Sequence, residues 1–261
     1  MSRSSGETKS FKIKTGKAAA AQKIVVYGPG GVGKSELCSL LRSVAIEPVF
    51  IDIEQGTNFL DVARLDDVYA WEELLGVLRD DSLMSQFNAI VIDSFTKAQE
   101  LCEAWVIRNI KHSKDKNKVI KSLADYGFGE DATFVYETFL QLLAELDAQV
   151  RKGRHVIGIC HDCTANVPNP EGEDFLRYEP RLQSPKSGKN SIRHRVKEWC
   201  DHLLYIGYDV LVSEEGKAEG HGSRCIYPTE RPTYWAKSRC LADPIVYQKD
   251  SSDLWKLLFN K

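Results

Sequence analysis

No stretch of this 261-residue chain stays apolar for the roughly 20 residues a membrane-crossing helix needs. Nor is there an early segment with the charged, apolar and small-residue order of a signal peptide, since Ala18 to Ala21 is too short to supply its apolar part. A helical membrane span is therefore excluded, and a cytoplasmic setting is expected. A disulfide framework is equally ill served, because the seven cysteines are odd in number and scattered through apparent strands and helices. A dominant charge is missing too: 35 basic residues stand against 37 acidic ones, for a formal net charge of -2. Any surface for a polyanion must come from local clusters. There is no internal repeat, and 43% hydrophobic residues with 28% charged ones describe ordinary soluble material able to bury a substantial core.

What is present is concentrated in Lys23 to Ser35, where an apolar run ends in a glycine-rich turn that fits G-x-x-x-x-G-K-[ST] without a gap. Ile24 to Val26 predicts a buried parallel strand, and Leu37, Leu40, Leu41 and Val44 give the apolar stripe of a helix starting near Gly33. A turn between a strand and a helix N-terminus gathers unpartnered backbone N–H groups into one concavity suited to a triphosphate. Gly28, Pro29, Gly30, Gly31, Val32 and Gly33 would form that cradle, with Glu36 just beyond it. Lys34 would reach the β- and γ-phosphates, and the Ser35 hydroxyl would hold a magnesium ion, so ATP and Mg2+ are the expected cofactors. A chance glycine turn is the alternative.

Further along, Val49 to Glu54, Ala89 to Ser94, His155 to Cys160 and Leu203 to Gly207 read as four more buried strands. Helices are expected at Ala70 to Asp80, after an N-cap at Ser94, and over Phe134 to Val150 with Gly153 to stop it. Five lysines crowd between Lys111 and Lys121 in an expected loop, and residues 162 to about 192 form a long polar stretch, also read as loop. The C-terminal part alternates and turns, predicting antiparallel strands leading to Tyr234 to Arg239. Residues 1–17 read as a mobile tail, in which Ser10 to Lys14 has the alternation to add to the sheet of a neighbouring copy. Near-continuous apolar strands separated by helices argue for a mainly parallel sheet covered on both faces. Its ligands should sit beyond the carboxyl ends of the strands, where Glu54, Asp93 and His161 fall.

Asp93 closes its strand in the manner of an aspartate that orients magnesium, and Ser94 follows it where AAA+ ATPases normally carry a glutamate base. Glu54 is then the candidate that takes a proton from the attacking water, with Asp52 as its competitor. In this pattern the chain resembles the RecA-type recombinase ATPases. Phe50 to Glu54 is similar to their catalytic-glutamate strand, Ile90 to Ser94 to their magnesium strand, and Ala236-Lys237-Ser238-Arg239 to their late basic pair. The size, the Asp-x-Glu-x-Gly segment and the histidine after the fourth strand resemble the phage and prophage RecA-like ATPases, some of which are single-strand annealing proteins.

The resemblance implies an α/β fold with a RecA-like P-loop core: a mainly parallel sheet of order 5-1-4-3-2 flanked by helices, with C-terminal antiparallel strands, as one domain over residues 18–261. It implies that Lys237 and Arg239 reach the γ-phosphate of an adjacent protomer and that His161, in place of an amide, senses that phosphate. It also places single-stranded DNA on the loop after His161, where Arg177, Arg181, Lys186, Lys189, Arg193, Arg195 and Lys197 stand against Glu179 alone over residues 177–197. Phe175 and Tyr178 could stack on bases. The expected protein is a magnesium-dependent ATPase that self-associates as a ring or filament on single-stranded DNA and supports recombination or annealing. A single-stranded-DNA-binding protein or a helicase is a further expected partner, in a bacterial host cytoplasm. Two other readings stay open, a nucleotide kinase with a basic lid and an ATP-dependent loader. Cys160, His161, Cys163, Cys200 and His202 also leave zinc as a minor alternative.

Overall fold

The computed structural model describes residues 13, 15–16, 20–65, 67–127, 129–212 and 218–259, with the backbone alone at 209–212 and 218–222. The proposed strand addition by Ser10 to Lys14 lies, apart from Ile13, outside the described residues, as does most of the tail 1–17.

Among the described residues nine strands make up the sheet: β1 (Lys23–Gly28), β2 (Pro48–Asp52), β3 (Ala63–Leu65), β4 (Ala89–Asp93), β5 (His155–Val167), β6 (Phe175–Pro180), β7 (His202–Val212), β8 (Ala218–Tyr227) and β9 (Ile245–Tyr247). They lie in the order β3-β2-β4-β5-β1-β7-β8-β9, with β6 paired to β5 alone. All neighbours from β3 to β7 are parallel, whereas β8 and β9 add antiparallel to β7. Counting only the five strands read from the sequence, the order is 5-1-4-3-2, as the resemblance implies.

The apolar strands lack in-and-out alternation because each face has its own core. Ile24, Val26, Phe50, Val91, Ile157, Ile159, Leu204 and Ile206 pack beneath α1 (Lys34–Ser39) and the C-terminal helix. Val25, Tyr27, Ile51, Ile90, Ile92, Val156, Leu203 and Tyr205 pack on the other face. That face is covered by α2 (Trp71–Arg79), with α3 (Asp81–Met84) following it, by α4 (Phe95–Asn109) and α5 (Glu130–Arg151), and by α6 (Ile192–Trp199). The C-terminal helix is α7 (Asp253–Phe259), whose Leu254, Trp255 and Leu258 are buried. Ser94 caps α4 as expected, its Oγ accepting from the Lys97 N–H at 3.1 Å.

The stretch 162–192 is only partly the loop its polarity predicts. β5 runs on past the parallel strands to Val167 and turns back as β6, an antiparallel hairpin in which exposed residues alternate with half-buried ones, so no apolar run marks it, while 168–174 and 181–191 are irregular. The antiparallel C-terminal strands are there as β7, β8 and β9, and the segment Tyr234 to Arg239 between β8 and β9 is held by isolated bridges from Tyr234 to Tyr178 and Arg231 and from Lys237 to Leu203.

The parallel register lines up the carboxyl ends. Gly28 of β1 is level with His161 of β5, and Asp52 of β2 is level with Asp93 of β4. The backbone N–H groups of Ile53 and Glu54 then donate to the Asp93 carbonyl at 2.8 and 3.2 Å, which draws Glu54 across the end of β4.

Candidate active site

The glycine-rich turn is held open by its surroundings. A methyl on Gly28 would lie 2.1 Å from the Ile206 carbonyl oxygen of β7, so only glycine lets β1 and β7 close at that point. Gly33 caps α1 with φ 95°, in the left-handed region. Lys34 is 7% exposed, and its Nζ donates to the carbonyls of Gly28 and Pro29 at 2.7 and 2.8 Å. Burial pulls this ammonium below the usual lysine value, against the opposing pull of Asp162 and Asp93.

Ser35 Oγ donates to Asp93 Oδ2 at 2.5 Å. The two groups expected to serve one magnesium ion thus meet, a hydroxyl and a carboxylate, the hard oxygen donors that ion takes. Burial lifts the Asp93 carboxyl to about 6, with the Ser35 hydrogen bond working the other way. Among the described residues no group of three or more His, Cys, Asp or Glu is arranged to hold a metal by itself, the cysteine and histidine set weighed for zinc included. A magnesium ion that takes one or two protein oxygens and completes its shell from water and phosphates has no need of such a group.

Glu54 stands beside this pair. Its carboxylate accepts from Ser94 Oγ, and His161 Nε2 lies 3.0 Å from both of its oxygens. The contact faces a cavity of about 410 Å³ lined also by Gln55, Tyr69, Lys97, Glu100 and Arg181. Asp52, the competing base, is spent elsewhere: fully buried, it accepts from the N–H groups of Gly56 and Thr57 and from the Thr57 hydroxyl. The 53–57 turn needs that carboxylate as an acceptor.

The two members of the late basic pair are held differently. Lys237 does not reach outward: its Nζ donates to the carbonyls of Lys197, Glu198 and Cys200 at 2.9, 3.3 and 2.7 Å and so caps the C-terminus of α6. Arg239 is two-thirds exposed and pairs with Asp201 at 2.7 Å.

The seven cations assigned to DNA fall into two groups. Arg177 and Arg193 both bind the buried carboxylate of Glu179, at 2.6 and 2.7 Å, and Arg177 and Lys197 share Glu230 across the Trp235 ring. These three build the hairpin's base, because a carboxylate buried there requires cationic partners. Arg181, Lys186, Lys189 and Arg195 are exposed. Tyr178 is 41% exposed and stacks on Tyr205, whereas Phe175 is half-buried.

Three residues that touch the turn or the helix after it from far along the chain escape sequence reasoning. Arg224 Nη1 donates to the Val32 carbonyl at 2.9 Å, Tyr247 Oη to the Gly33 carbonyl at 2.8 Å and Trp255 Nε1 to the Leu37 carbonyl at 2.6 Å. No local pattern marks them, since their partners lie about 200 positions away.

The sequence model AAA_24, described as an AAA domain, matches residues 20–240. No curated protein matches the chain. Among solved structures, the KaiC-like protein PH0186 of the archaeon Pyrococcus horikoshii OT3 is 11% identical with a TM-score of 0.45, the match covering 88% of this chain and 86% of that one. The flagellar accessory protein FlaH of Methanocaldococcus jannaschii is 10% identical with a TM-score of 0.40, over 80% and 77% of the two chains. The RadB recombinase is 16% identical with a TM-score of 0.38, over 80% of each. Among the described residues no helix is long and apolar enough to cross a membrane.

Proposed function

The chain belongs to the AAA_24 family of AAA domains, and on that premise we propose that it is a magnesium-dependent, RecA-like ATPase that works as an oligomer on single-stranded DNA in recombination or strand annealing. The observation that carries this reading is the meeting of Ser35 with Asp93 at 2.5 Å beside a glutamate that already accepts two hydrogen bonds. Lys34 would leave the Gly28 and Pro29 carbonyls for the β- and γ-phosphates, and the N–H groups of the turn would take the remaining phosphate oxygens. Ser35 and Asp93 would hold magnesium, which when bound neutralises charge on the phosphates. Glu54 would take the proton of the attacking water, with Ser94 and His161 fixing its carboxylate. Arg239 is the cation free enough to serve a neighbouring copy; Lys237 could do so only by giving up α6. Arg181, Lys186, Lys189 and Arg195 supply the exposed charge for an unpaired polynucleotide, and Tyr178 a ring for a base. The setting is the cytoplasm.

Phosphate release and oligomer size, measured with and without single-stranded DNA over a salt series, test the proposal. Turnover should rise with DNA, and the rise should fade as salt increases. A chain that takes up no MgATP would end the proposal, and one that hydrolyses ATP but ignores DNA would leave only the ATPase. The cavity beside Glu54, with Lys97 and Arg181 in its wall, favours a second reading, a nucleotide kinase. Transfer of phosphate to a nucleotide instead of its release would select that reading.

A further inference from the structure

In a trans peptide the carbonyl of one residue and the N–H of the next point in opposite directions. An N–H group of the glycine-rich turn therefore faces a phosphate only when the carbonyl before it is turned away. At Val32 and Gly33 those carbonyls are not left to solvent. Arg224 on β8 takes the first at 2.9 Å, and the second is shared between the Leu37 N–H of α1 and Tyr247 on β9, each at 2.8 Å. Arg224 thus sets the plane that carries the Gly33 N–H, and Tyr247 reinforces the plane that carries the Lys34 N–H, which the helix already turns the same way.

The pair acts as one unit. The Arg224 guanidinium lies over the Tyr247 ring at 4.5 Å and reaches Glu36 at 3.9 Å. Tyr247 is 2% exposed, and burial, with Glu36 nearby, raises its hydroxyl above the ordinary tyrosine value, so it stays a neutral donor. The fit also restricts Gly33, where a methyl would lie 2.6 Å from Arg224 Nη1 and 2.9 Å from Tyr247 Oη.

We propose that Arg224 and Tyr247 are positioning residues for nucleotide binding, setting the direction of the Gly33 and Lys34 N–H groups from the antiparallel edge of the sheet. This rests on the nucleotide-binding reading above, and it gives β8 and β9 a part in that site.

The test uses the full chain, with Tyr247→Phe, Arg224→Met and Arg224→Lys beside the unaltered protein. MgATP affinity is measured by calorimetric titration, steady-state phosphate release gives KM and kcat, and thermal unfolding reports the fold. Tyr247→Phe and Arg224→Met should each weaken MgATP binding about five- to tenfold, the loss expected for one buried hydrogen bond. KM should rise to match while kcat stays within about twofold, because a loosened loop holds the nucleotide less well in the ground state and in the transition state alike. Arg224→Lys should recover part of the affinity. A role confined to holding β9 against α1 would lower the unfolding temperature and leave the affinity of the folded protein unchanged, and that result in both Tyr247→Phe and Arg224→Met would overturn the proposal. Should Arg224→Met fail to fold, Tyr247→Phe decides. If the unaltered chain itself binds no MgATP, the reading above falls and this one with it, whereas normal binding by the unaltered chain and by every variant that folds sinks only the positioning role.

Discussion

Glu54 is the residue on which the proposed chemistry turns, and its neighbours explain how a half-exposed carboxylate can be held to one task. Ser94 caps α4 through its oxygen while donating its proton to Glu54, so one hydroxyl anchors both a helix and the candidate base. Replacing Glu54 by Gln keeps the shape and removes the proton acceptor. Turnover should fall by about 10²- to 10⁴-fold, the usual worth of a positioned base. MgATP affinity, read by the same titration, should stay within about threefold of the original. At this scale the sequence was informative where chemistry follows a contiguous motif: Lys34, Ser35 and Asp93 were legible because loop and strand ends can be counted. The choice between Glu54 and Asp52 was not, because it depends on a turn whose N–H groups claim Asp52.

Among the elements, α6 carries the clearest consequence. It has eight residues and ends with three carbonyls pointed at one ammonium, that of Lys237. A cation at a helix C-terminus is favourable because the unpaired carbonyls there carry partial negative charge. Lys237→Met keeps the stem and loses the cap, and should cost about 1–2 kcal/mol of stability, seen as a lower urea midpoint at unchanged slope. Unchanged stability with loss of DNA-stimulated turnover would return Lys237 to the intermolecular role implied by resemblance. The five parallel strands were legible because burial on both faces leaves an unbroken apolar run. The β5–β6 hairpin, α6 and α7 were not: the hairpin's inner face is only half-buried and largely polar, and the two helices are too short for a helical period to stand out. β3, three residues long, is below any periodic signal.

For the molecule as a whole, charge is sorted by burial instead of by sequence distance. A run of cations that reads as one basic stretch divides, once folded, into Arg177, Arg193 and Lys197 around Glu179 and Glu230, and Arg181, Lys186, Lys189 and Arg195 in the open. Only the second set has charge to spend on phosphates. Neutralising all four to Gln should weaken binding to single-stranded DNA and flatten its logarithmic dependence on salt by about 0.7 for each phosphate left without its cation. An unchanged slope, followed by fluorescence anisotropy on a labelled oligonucleotide, would move the interface elsewhere. The sheet order was legible only through resemblance, since composition and periodicity fix neither the neighbours of a strand nor the way the C-terminal strands return to the loop.

Gly28 and Gly30 belong to one motif but answer to different masters. A side chain at Gly28 would drive into the backbone of β7, so the fold alone demands that glycine. At Gly30 a methyl would meet no protein atom within 4 Å, and the backbone there is not left-handed. Whatever the loop holds, the sheet itself rejects a side chain at the first position, while the protein leaves room for one at the second. Substitution at Gly28 therefore tests the closure of β1 on β7, and any penalty at Gly30 would have to come from what the loop binds.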